Sequence, residues 1–140
     1  MEEDKFTYGY FIGKLENREI SIDLAIAKRF LILLKEIVNE DDVENVYIKH
    51  FEDQYKKEIY LFCSKEIIHI NVRNREFSFK KIKSMITEAS FNHGDGGIHN
   101  ALLNIKFENG EEITFNNYKD NVAIWRQDFY EVIKDIYKSL

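Results

Sequence analysis

The chain predicts an α+β fold in which one or two N-terminal helices precede an antiparallel sheet of about six to seven strands, and a C-terminal helix closes the sheet. Three patterns in the 140 residues carry this. Between Asn121 and Leu140, the residues Val122, Trp125, Phe129, Ile133, Ile136 and Leu140 recur at steps of three or four, one stripe of a 3.6-residue helix. From Val46 to Phe115 apolar residues instead alternate with polar ones, the period of half-buried strands. Between Ser21 and Asn39 a second helical stripe runs through Ile22, Ile26, Phe30, Leu33, Leu34 and Ile37. With no proline and only six glycines, no linker divides the chain. The expected organisation is a single domain, 1–140, with a helical part over 1–45 and a sheet plus closing helix over 46–140.

Residues 1–16 fit either period: Phe6, Tyr8, Tyr10 and Ile12 alternate like a strand, and the helical face of Tyr8, Phe11, Ile12 and Leu15 is preferred. Ser21 offers a hydroxyl as N-cap for the helix over 21–39. Leu24, Ala27, Leu31 and Val38 widen its apolar side, so it is expected either to lie between neighbours or to form a homodimer interface. The acidic stretch Glu40 to Glu44 reads as a solvated turn that caps a short helical stub. Its spacing is not that of a calcium loop.

The strands follow as a meander: Val46 and Ile48; Ile59, Leu61 and Cys63; Ile68, Ile70 and Val72; Phe77 and Phe79. A four-residue loop over 64–67 would set Cys63 opposite Ile68 and Leu61 opposite Ile70. Residues 80–85 read as a helical turn or a bend, and 87–91 as a further strand. Around Gly110, a two-residue turn would send the apolar sets of the flanking strands to opposite faces. A three-residue loop ending in Gly110 at positive φ pairs Ile105 with Ile113 and Leu103 with Phe115, and is the expected register. Asp120 or Asn121 can cap the last helix, and Lys134 and Lys138 suit its C-terminal dipole. Burial of the indole would make Trp125→Ala cost about 3–5 kcal/mol.

A net charge of -5 argues against general nucleic-acid binding, which needs clustered Lys and Arg. Cys63 is the single cysteine and excludes an internal disulfide, and the start Met-Glu-Glu-Asp-Lys is unlike a signal peptide. The longest apolar run, Phe30 to Leu34, is five residues, where a membrane span needs about 20. A cytoplasmic location is expected.

Several residue groups could carry chemistry. His93, Asp95 and His99, in the glycine-rich loop 92–100, are metal-ligand types, and a small metal-dependent enzyme is the alternative functional reading. The plainer reading is a hairpin connection, since a catalytic site needs its ligands held rigidly. Arg73, Arg75, Lys80, Lys81 and Lys83 form the one basic cluster, suited to a phosphorylated headgroup or an acidic partner, or simply to a solvated strand face. Cys63 reads as a small core residue rather than a nucleophile, and His69 as a surface residue on the face opposite Ile68 and Ile70. No phosphate loop, nucleophile elbow or zinc helix is present in the sequence, and no cofactor is expected.

The successive hairpins after Val46, the Phe77-Ser-Phe79-Lys-Lys-Ile82 segment and the closing helix with Trp125 and Phe129 give residues 46–140 a pattern that resembles the pleckstrin-homology-like superfamily in its bacterial form. The resemblance implies a curled antiparallel sheet plugged by the C-terminal helix, and a domain that binds lipids, peptides or proteins. The whole chain also looks like small proteins of low-GC bacteria and their phages. The expectation is a non-enzymatic interaction module whose partner is a protein or peptide, with a homodimer through helix 21–39 as one arrangement.

Overall fold

Thr7 starts the first helix: its hydroxyl accepts the Tyr10 N–H at 3.1 Å and opens α1 (Tyr8–Glu16) in the computed structural model, which describes residues 6–94 and 100–140. The helical reading of residues 8–16 is therefore the observed one, with Tyr8, Phe11, Ile12 and Leu15 buried. The second helix, α2, spans Leu24–Ile37. Its N-cap is Asp23 rather than Ser21: the Asp23 carboxylate accepts the Ala25 N–H at 2.9 Å and adds negative charge where the helix dipole favours it. Asn39 lies beyond the helix and instead caps a 3-10 turn, Glu40–Asp42, accepting the Asp41 N–H at 3.2 Å.

Four strands follow, β1 (Val43–Lys49), β2 (Lys56–Cys63), β3 (Ile67–Arg73) and β4 (Glu76–Ile82), in the antiparallel order β1-β2-β3-β4. The expected β2–β3 register is two residues out. Leu61 faces Ile68 and Ile59 faces Ile70, because Cys63 donates its N–H to the Glu66 carbonyl at 2.9 Å and tightens the turn. A slip of two keeps every side chain on its face, so alternation alone does not separate the two registers. The helices cover the face that holds Val46, Ile59, Ile70 and Val72. Phe30 of α2 meets the rings of Phe77 and Phe79 at 5.2 and 6.4 Å, and Phe6 ahead of α1 meets Phe51 edge-on at 5.5 Å. The helical segments and these strands thus form one compact unit, 6–82.

A second unit, 83–140, carries β5 (Ile86–His93), β6 (Ala101–Phe107) and β7 (Glu112–Asn116) in the order β5-β6-β7. The single curled sheet of six to seven strands is thereby corrected to two antiparallel sheets, of four and three strands. Period two fixes faces within a ladder, yet is silent on whether consecutive strands share one. Around Gly110, whose φ is 91°, the register is the expected one, Ile105 with Ile113 and Leu103 with Phe115. Phe107 donates to the Glu111 carbonyl at 3.0 Å and closes the three-residue loop.

After β7 the chain forms a single turn, α3 (Asn117–Asp120), and then α4 (Ala123–Ser139). Asn116 caps α3 through the Tyr118 and Lys119 N–H groups, at 3.0 and 2.9 Å, and Asp120 returns the bond by accepting the Asn116 N–H at 2.8 Å. With Asp120 occupied this way, α4 begins at Val122 without the side-chain cap expected from Asp120 or Asn121. Burial on α4 falls on Phe129, Val132, Ile133 and Ile136, in the middle turns that lie against β6. Toward the ends it fades: Val122 is 52 % exposed, Leu140 is exposed, and Trp125 is only half-buried.

One polar side chain links this helix to the sheet. Asn117 is fully buried; its Oδ1 accepts the Ala101 N–H of β6 at 2.8 Å and its Nδ2 donates to the Arg126 carbonyl of α4 at 2.9 Å. Asn117→Leu should therefore leave the buried Ala101 N–H without its acceptor, at about 1–3 kcal/mol, and lower the thermal midpoint. An unchanged midpoint would show that these bonds add nothing to the fold.

Candidate functional site

The β3–β4 turn gathers part of the basic cluster. Asn74, at φ 57°, donates its N–H to the Tyr55 carbonyl at 2.6 Å, and a cleft of about 530 Å³ opens there, lined by Asp23, Tyr55, Arg73, Asn74, Arg75 and Glu76. Arg75 Nε contacts the Asp23 carboxylate at 3.4 Å, so its charge faces the residue that caps α2. Arg73 stands across the ladder from Glu76. Strand alternation separates the remaining cations. Lys80 lies beside His69, on the face away from Phe79, while Lys81 lies on the same face as Ile68 and pairs with Glu66 at 3.5 Å. Lys83 belongs to the unit that starts at residue 83. Of the five cations, the cleft thus unites Arg73 and Arg75, alongside two carboxylates.

The glycine-rich loop is described only at its base, where Gly94 donates its N–H to the Asn100 carbonyl at 2.6 Å. His93 ends β5 with Nδ1–H on the Gly94 carbonyl at 3.1 Å and its ring edge-on to Tyr130 at 6.2 Å. Asp95 and His99 lie outside the described residues. Among the described residues no group of His, Cys, Asp or Glu is placed to hold a metal ion. Cys63 is half-buried, and burial together with the Asp42, Glu66 and Glu44 carboxylates pushes its thiol up to about 11. A thiol protonated at neutral pH makes a poor nucleophile.

Two polar arrangements on β2 went unread in the sequence. Lys57 is 1 % exposed, on the face of the sheet that carries Ile59 and Val72. Its Nζ donates to the Phe51 carbonyl at 2.8 Å and to the Asp53 carbonyl, holding the β1–β2 connection, and burial pushes its ammonium down to about 8. The second arrangement lies on the opposite face. Glu58 Oε1 accepts from Tyr60 Oη at 3.0 Å and from His69 Nε2–H at 3.1 Å, while the imidazole stacks on the Tyr60 ring at 4.3 Å and 6°. Lys49 sits 5.7 Å from the same ring. His69 is therefore half-buried and tethered, not a plain surface residue as expected. Register supplies the missing signal: residues 60 and 69 are cross-strand partners, and 58 lies one step along the same face.

The hydrogen bond from His69, aided by Tyr60 and Lys49, holds the Glu58 carboxyl at about 2 against an ordinary 4.5. The stability this supplies is complete above pH 4.5 and is lost as pH falls from there toward 2. Glu58→Gln should accordingly unfold with a shallower pH dependence across that window than the wild type. Superimposable acid-unfolding curves would dismiss the network as a source of stability.

No helix among the described residues is long and apolar enough to cross a membrane. No protein-family model, curated protein or solved structure matches this chain.

Proposed function

We propose that the chain is a non-enzymatic interaction module that meets a protein partner through the outward side of α2. The observation that carries this is the exposure of large aliphatic side chains there: Leu24 is 74 % and Ile32 46 % exposed, while Ile26, Phe30 and Leu34 fill the inner side. Apolar surface left in water on a helix whose inner face is already packed is the mark of a contact surface. Lys28 lies between Leu24 and Ile32 on that side, and Lys35, one turn beyond Ile32, bonds Glu16 at 2.5 Å, so the exposed aliphatic side chains are interspersed with basic ones. The resemblance of residues 46–140 to the pleckstrin-homology-like superfamily, whose members mostly bind other molecules, points the same way. A second copy is the simplest partner that this side of α2 could take.

Light scattering on the wild type and on Leu24→Glu/Ile32→Glu tests the reading. Association that rises with concentration in the wild type and weakens in the folded double variant is expected. A double variant that associates as strongly as the wild type would remove α2 from the contact.

A further inference from the structure

The outer edge of β5 has a definite backbone parity. Phe107 donates its N–H to the carbonyl of Glu111, just before β7, and Ala101 donates its N–H to the Asn117 side chain, just after it, so odd-numbered residues of β6 direct their backbone toward β7 and away from β5. Even-numbered residues of β6 consequently bond β5. Their cross-strand partners are Glu88, opposite Lys106; Ser90, opposite Asn104; and Asn92, opposite Leu102. Ala89 and Phe91 lie between these and turn their N–H and C=O groups off the edge of the sheet.

Edges are normally shielded by brevity, lysine, proline or a bulge. β7 has five residues, and β4, an edge of the other sheet, carries Lys80 and Lys81. β5 has eight residues, none of them buried, with Glu88 as its only carboxylate and no lysine, arginine or proline. Its register shift lies between Ile86 and Glu88, leaving 88–93 regular. By these criteria it is less protected than the edges β4 and β7.

We propose that a second copy of this chain pairs antiparallel with β5, joining the two three-stranded sheets into one continuous sheet. Because odd-numbered residues face outward on both copies, they must bond each other. Pairing about Ser90 meets this requirement and sets Ala89 against Phe91, Glu88 against Asn92 and Thr87 against His93, with no like charges opposed. The two-fold axis then stands perpendicular to the sheet and brings both α4 helices to one side. There Tyr137, 43 % exposed and 5.5 Å from Phe91, flanks the edge and adds apolar area to the backbone bonds. The exposed side of α4 alternates in sign, Glu131 with Lys134 and Asp135 with Lys138, so an antiparallel second helix meets opposite charges. This self-complementarity favours a second copy over an unrelated extended peptide, and it is independent of the α2 surface.

Light scattering at millimolar concentration on the intact chain, together with two variants, tests the proposal. Ala89→Pro removes one outward donor and no bond to β6, and is expected to associate more weakly than the wild type with an unchanged circular dichroism spectrum. Ser90→Cys places a thiol on the two-fold axis and is expected to give a disulfide-linked dimer on oxidation, whereas the wild type, with Cys63 alone, does not. A wild type that remains monomeric overturns the proposal. So does a folded Ala89→Pro that associates as the wild type does. Should Ala89→Pro fail to fold, Ser90→Cys decides: a cross-linked dimer supports β5 pairing and an uncross-linked chain overturns it. Association lost in Leu24→Glu/Ile32→Glu but intact in Ala89→Pro assigns the contact to α2 instead.

Discussion

An antiparallel strand can hide every second side chain only if something lies over that side, and in this chain each of the two sheets has its own helical cover. α4 puts Phe129, Ile133 and Ile136 against β6, and α2 puts Phe30 against Phe77 and Phe79 of β4. Removing a buried aliphatic or aromatic side chain from water contributes about 1.5–3 kcal/mol, a large fraction of a domain's net stability. The elements that follow from this constraint are the capped helix starts, the tight hairpins and the buried Asn117 that bonds both β6 and α4.

Much of this organisation was legible in residue spacing. The helix beginning at Tyr8, the strand cores and the register around Gly110 all follow from period and turn chemistry, since a three-residue loop there keeps Ile105 and Ile113 on a common face where a two-residue turn does not. Spacing did not separate one sheet from two, nor a two-residue slip at Cys63, because both alternatives leave the faces unchanged. It also extended the α4 stripe too far. Val122 and Leu140 keep the helical step but lie beyond the turns that rest on β6, and Val132, outside the stripe, is buried.

Polar groups were harder to foresee than apolar ones, for the same physical reason. A charged residue on a strand reads as solvent-facing unless its cross-strand neighbours are known. Lys57 drew no reading from the sequence, yet its ammonium closes on the carbonyls of the connection that precedes it. Glu58, Tyr60 and His69 become a network only once β2 and β3 are in register. The basic cluster shows the converse: continuous in sequence, it is divided by strand alternation and matched in part by Asp23 and Glu66.

The most direct measurement compares the unfolding free energies of Phe129→Ala and Trp125→Ala. If the middle turns of α4 seal the three-stranded sheet, Phe129→Ala loses about 3–5 kcal/mol and Trp125→Ala clearly less, because the indole is only half-buried. A Trp125 variant as damaging as the Phe129 variant, or a Phe129 variant with wild-type stability, would contradict helix-on-sheet closure as the constraint on which this unit depends.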